Sequence, residues 1–114
     1  MIADDDPGIV DAIEMMLTYE GYEVKSTSNG ETFSEVIQNN PDLLLLDIWM
    51  SGEDGRDICR KLKATKKTKT IPVIIISASK DIERSAIDSG ADGFLEKPFE
   101  MNELLDKIKS LLAA

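Results

Sequence analysis

The chain contains no histidine among its 114 residues. That removes imidazole general-base catalysis and histidine-ligated metal centres together. The one cysteine, Cys59, cannot close an internal disulfide, so a cross-linked scaffold is excluded and a reducing cytoplasm is the expected compartment. No apolar run nears the roughly 18 residues that cross a bilayer, and no signal peptide opens the chain, so no membrane association is expected. Aromatic residues are sparse, at 5%, and basic residues are outnumbered 22 to 13, for a net charge of −9. This balance argues against direct binding to nucleic acid or to anionic lipid. The length suits one domain, expected over residues 1–114, with enough chain to bury a core unaided.

What is present is unevenly placed. Residues 1–57 hold 14 acidic and two basic side chains, Lys25 and Arg56, whereas residues 58–114 hold eight and eleven. Scattered solvated charge would account for the imbalance; so would an acidic cluster built mainly from the first half. Residues 43–48 (LLLLDI) and 73–77 (VIIIS), bounded by Pro41 and Pro72, are near-continuous apolar runs. Such runs suit strands covered on both faces, as in a parallel sheet. Residues 23–27, residues 93–96 and the very short stretch 1–3 complete five strand candidates.

Amphipathic helices lie between them. Asp6 is placed to cap the first, with Pro7 at its first position and a stripe of Ile9, Val10, Ile13, Met16 and Leu17 ended by Gly21. The second carries Phe33, Val36 and Ile37. The third carries Ile58, Cys59 and Leu62, with Asp54 a candidate cap. The fourth has a thin stripe of Ile82, Ala86 and Ile87, and the fifth a full one from Met101 to Leu112. Strand and helix alternating five times, with right-handed crossovers, predict a doubly wound α/β sandwich around a parallel sheet. Residues 63–69 (KATKKTK) read as an exposed loop, or as a basic contact patch.

In open α/β sheets the working residues collect at the carboxyl ends of the strands. There the sequence places Asp4, Asp5 and Asp6 after the first strand, Asp47 at the end of the third, Ser77 and Ser79 after the fourth, and Lys97 after the fifth. Helix capping explains Asp6 well and its two neighbours only in part. Asp47 ends a buried run, where a charge is costly unless compensated. Clustered carboxylates repel one another unless a cation joins them, and an all-oxygen donor set suits Mg²⁺. A carboxylate, a metal, a lysine and a small hydroxyl are the parts that phosphoryl transfer uses, and the carboxylate can itself be the nucleophile.

With these residues in place the chain resembles, over essentially its whole length, the receiver domain of two-component response regulators. The resemblance rests on the pair Asp4–Asp5, on Asp47, and on the turn of Gly52, Asp54 and Gly55. Ser77 with Ala78, the turn of Gly90, Ala91, Asp92 and Gly93, and Lys97–Pro98–Phe99 complete it. It implies a flavodoxin-like fold of strand order 2-1-3-4-5. It implies that Asp47 accepts a phosphoryl group from a sensor histidine kinase or histidine phosphotransfer protein. Asp4, Asp5, Asp47 and the backbone carbonyl of Trp49 would hold Mg²⁺, while Ser77 and Lys97 would bind phosphoryl oxygens. Ser77 and Phe94 would relay the change to the face of the fourth helix, fifth strand and fifth helix. That face would act on an output domain or downstream protein, and self-association through it is a further expectation. A cis Lys97–Pro98 peptide bond is also implied.

The family departs from this chain in places. Members often carry Thr at Ser77, and Glu53 is an additional acid near the rim. Members also place more residues before the acid pair than the three found here, so the first strand is expected to be truncated: either the natural chain begins earlier than Met1, or the neighbouring strands leave exposed edge groups near the N-terminus that a second molecule could cover. Other classes fit less well. An aspartate-nucleophile phosphatase of the dehalogenase type needs a second aspartate at Trp49. A flavin binder needs a Gly- or Ser/Thr-rich loop after the first strand. A phosphorylation-independent scaffold leaves Asp5, Asp47, Ser77 and Lys97 unexplained. The expectation is therefore a regulated binding module and not a turnover enzyme.

Overall fold

A computed structural model describes residues 1–28, 31–50 and 52–113. Its elements run β1 (Ile2–Ala3), α1 (Pro7–Tyr19), β2 (Ser26–Thr27), α2 (Thr32–Asn39), β3 (Leu44–Asp47), β4 (Trp49–Met50), β5 (Glu53–Asp54), α3 (Gly55–Ala64) and β6 (Val73–Ser77). A 3-10 turn (Lys80–Ile82), α4 (Glu83–Asp88), β7 (Gly93–Glu96) and α5 (Met101–Leu112) follow. The main sheet is parallel with order β2-β1-β3-β6-β7. With the small β4–β5 hairpin left out of the count, this is the expected 2-1-3-4-5.

Side-chain alternation along the strands sorts the interior into two cores. Ala3, Leu44, Leu46, Val73, Ile75 and Phe94 face α2, α3 and α4, against Val36, Ile58, Leu62 and Ala86. Ile2, Leu45, Ile74, Ile76 and Leu95 face α1 and α5, against Ile13, Leu17, Leu104 and Ile108. Burial on both faces is why β3 and β6 lack polar residues until their last positions.

Local signals behave as their chemistry demands. Asp6 caps α1, its carboxylate accepting from the backbone N–H groups of Gly8 and Ile9, and Pro7 occupies the first turn. Asp54 caps α3 through the Arg56 N–H. Two boundaries differ from expectation. The first strand is indeed short, yet both its residues are buried and paired on both sides. The second strand is only Ser26–Thr27, not residues 23–27, because β1 offers it just two partners. The hairpin of β4 and β5 was not expected. It turns about Gly52, whose φ of +79° favours glycine.

Candidate functional site

Because all five strands of the main sheet run parallel, their carboxyl ends share one rim. β1 delivers Asp4 and Asp5, β3 delivers Asp47, β6 delivers Ser77, and β7 delivers Lys97. Carboxylate oxygens of Asp4, Asp5 and Asp47 lie within 4.8 Å of one another, an arrangement able to hold a metal ion. The Lys97 ammonium donates to Asp47 Oδ1 at 3.0 Å and to Asp4 Oδ2 at 3.4 Å. The Lys97 N–H also donates to the Ser77 carbonyl, which fixes the lysine beside the end of β6.

The three carboxylates are not equivalent. Asp4 is buried, and its Oδ1 accepts the Asp6 N–H at 2.9 Å, so a hydrogen bond as well as a cation compensates its charge. Asp5 is exposed at the mouth of the cluster. Asp47 is half-buried, and burial pushes its carboxyl up from the ordinary value. The hydrogen bond from Lys97 opposes that rise, and repulsion from Asp4 adds to it. For Lys97, burial works against the charged form, but Asp47 and Asp4 outweigh it and raise the ammonium. Three carboxylates facing one ammonium leave the rim short of positive charge.

Ser77 is buried at the end of β6, and its Oγ accepts the Ser79 N–H at 3.0 Å. Phe94 is buried in the core on the α3–α4 side. Trp49, two residues past Asp47, exposes most of its side chain (61%). Asp6 serves as a cap and stays out of the cluster. Glu53 turns away as well, its Oε1 accepting from Thr32 Oγ1 at the start of α2. The Lys97–Pro98 peptide bond is cis, as the resemblance implies.

Two features of the surroundings were not visible in the sequence. Gly55 packs so closely that a Cβ there would stand 2.8 Å from the Asp47 carbonyl oxygen. Its N–H donates to the Ile48 carbonyl at 2.6 Å. Next to it, Arg56 forms a two-pronged pair with Asp54, which holds the Asp54 carboxyl below its ordinary value. The same guanidinium reaches Ser85 on α4 at 3.0 Å, 29 positions along the chain.

Comparison with known proteins agrees with this arrangement. The family profile described as the response regulator receiver domain matches residues 1–109. The DNA-binding dual master transcriptional regulator RpaA of Synechocystis sp. is 36% identical over 115 residues, covering 98% of this chain and 48% of that protein. Response regulator MprA of Mycobacterium leprae is also 36% identical, covering 98% of this chain and 50% of its own. The chain thus spans about half the length of these relatives. Among solved structures, the receiver domain of NtrX from Brucella abortus superposes with a TM-score of 0.88 at 30% identity, covering 99% of this chain and 97% of that one. The BeF3-activated receiver domain of RstA from Klebsiella pneumoniae superposes with a TM-score of 0.87 at 27% identity, with the same coverage. No helix among the described residues is long and apolar enough to cross a membrane.

Proposed function

The chain belongs to the response regulator receiver domain family, and from that premise we propose that it is a phosphorylation-controlled switch with Asp47 as the phosphoacceptor. The observation that carries this reading is the meeting of Asp4, Asp5 and Asp47 within 4.8 Å, with Lys97 3.0 Å from Asp47. In the step proposed, an Asp47 oxygen attacks the phosphorus of a phosphohistidine on a kinase or phosphotransfer protein. The P–N bond breaks, its electron pair stays on the imidazole nitrogen, and an acyl phosphate remains on Asp47.

The donor set fits Mg²⁺. It is all carboxylate oxygen, it carries more negative charge than Lys97 balances, and burial already disfavours the charge on Asp47. Asp5 and Asp47 would hold the ion directly, Asp4 through water, and the Trp49 carbonyl would complete the protein ligands. A bound divalent cation would supply neutralisation of charge on the phosphoryl oxygens. Lys97 is placed to pair with one such oxygen. Ser77, whose hydroxyl accepts the Ser79 N–H and keeps its own O–H to donate, would bind another. Phe94, on the adjoining strand and buried on the α4 side, would follow a shift of Ser77 and alter the face of α4, β7 and α5. We read the chain as a module that modifies only itself, with a kinase upstream and an output domain or downstream protein beyond it.

Incubation with Mg²⁺ and acetyl phosphate followed by intact-protein mass spectrometry tests the reading. A mass gain of one phosphoryl group is expected, absent in Asp47→Asn. An unmodified parent protein, or an adduct retained in Asp47→Asn, would overturn it.

A further inference from the structure

Helix α4 is held unlike its neighbours. Ala86 is its only buried residue, so little apolar area fixes it. Polar contacts to α3 take that place. Arg56 Nη1 donates to Ser85 Oγ at 3.0 Å, and Lys63 Nζ meets Asp92 past the end of the helix at 2.7 Å. Positions 56 and 63 lie two turns apart on one face of α3, so the two contacts bracket α4 from its first turn to the loop beyond it.

The Arg56 rung differs from the Lys63 rung because of what stands behind it. Asp54 fixes the guanidinium through both carboxylate oxygens, at 3.0 and 2.6 Å. Gly55, between them, sits directly on the Asp47 carbonyl. On the other side, Ser85 Oγ donates to the Ile82 carbonyl at 3.0 Å, so the rung grips the first turn of α4 and the 3-10 turn before it. That segment follows directly from Ser77 and Ser79. The Ser77 hydroxyl accepts the Ser79 N–H, so a shift of Ser77 toward a group on Asp47 would pull on the segment which Arg56 holds.

We propose that Arg56 is a positioning residue: it ties the first turn of α4 to the loop behind Asp47 and so holds α4 in the arrangement that accompanies unmodified Asp47. The proposal rests on Asp47 being the phosphoacceptor. The proposal takes the rung to be made in the resting arrangement and released in the activated one, so that its loss favours the latter.

The test uses the full chain with Ser85→Ala, Arg56→Lys and the double variant. Arg60→Ala, which breaks only the exposed Arg60–Asp57 pair, serves as the control. Amide hydrogen exchange over residues 83–90 is measured without Mg²⁺ or phosphoryl donor. Beryllofluoride binding with Mg²⁺ is followed by the fluorescence of Trp49, the only tryptophan. Each single variant should exchange several-fold faster across α4, with the double variant no faster than the singles. Each should also bind beryllofluoride about fivefold more tightly, the change expected for one hydrogen bond of about 1 kcal/mol. The control should match the parent in both. A merely structural role would speed exchange and leave binding unchanged or weaker, which overturns the proposal, as does unchanged exchange in Ser85→Ala. Failure of the parent itself to bind beryllofluoride would instead overturn the phosphoacceptor reading.

Discussion

Extending the chain by Lys-Ile-Leu before Met1 should raise its stability by about 2 kcal/mol at pH 7, the combined effect of removing a buried charge and burying an aliphatic side chain. The Met1 amino group donates to the Leu43 carbonyl at 2.8 Å, and burial lowers its pKa from 8.0 to about 6. Between those values the unfolded chain binds the extra proton, so stability rises with pH through that window, is lost as pH falls through it, and levels off below it. The cost is on the order of 1 kcal/mol at pH 7, approaches about 3 kcal/mol below pH 5 and vanishes above pH 8. An amide at Met1 keeps the hydrogen bond and carries no charge. The register, with Ile2 opposite Ser26 and Leu45, sets the added leucine opposite Val24 and Leu43. Strand parity points it to the α1–α5 side, into a groove of about 470 Å³ lined by Leu17, Tyr22, Ile108 and Leu112. Full burial of a leucine is worth about 1.5–3 kcal/mol, the open groove gives roughly half, and new ladder hydrogen bonds offset much of the ordering entropy, leaving about 1 kcal/mol. The assay is thermal unfolding at pH 7 and pH 9, beside a Lys-Ser-Gly extension that removes the charge without filling the groove. At roughly 4 °C per kcal/mol, Tm should rise by about 8 °C at pH 7 and about 4 °C at pH 9. A Lys-Ile-Leu chain no more stable than the Lys-Ser-Gly chain would show that β1 is already complete and refute the register. Equal gains at the two pH values would refute the buried amine.

Two further outcomes follow from the rim. Millimolar Mg²⁺ should raise Tm, and in metal-free buffer Asp47→Asn should stabilise the chain by about 1 kcal/mol, since it removes a half-buried carboxylate repelled by Asp4 while Lys97 keeps Asp4 as partner; identical melting curves with and without the metal would count against the site. Gly55→Ala should cost about 1–3 kcal/mol, because the added Cβ meets backbone atoms of Asp47 and Ile48 that cannot swing aside. Chemical denaturation measures that loss, and a neutral Gly55→Ala would mean the loop is free to retreat.

Strands buried on both faces and caps of fixed chemistry were the legible part. Residues 43–48 and 73–77 announce themselves because no polar side chain can sit between two helical layers, and Asp6–Pro7 and Asp54 mark helix starts by hydrogen bonding that needs only neighbours. The grouping of Asp4, Asp5, Asp47 and Lys97 was legible for a topological reason: parallel strands bring their carboxyl ends together whatever their order in the chain. Strand length was not, since residues 23–25 carry a strand-like pattern but β1 is two residues long and meets them at the Lys25 carbonyl, which accepts the Ile2 N–H. Nor was the direction of side chains with several partners within reach. Ser77 turns to the Ser79 N–H, Glu53 to Thr32, and Arg56 to Ser85, and each choice depends on a distance that local spacing does not encode.

The division of the interior by the sheet makes durability and signal separable. No described residue belongs to both cores. Ile13 and Leu17 of α1 hold the sheet from the side that carries neither α4 nor Phe94 and outside the proposed output face, so changes there should alter how long the domain survives and leave the setting of α4 alone. Ile58, Leu62, Ala86 and Phe94 lie on the side of α4, where, on the switch proposed above, a change of volume would touch persistence and responsiveness together. On that reading a lineage, or an engineer, can harden this protein at α1 while retuning it on the side of α4.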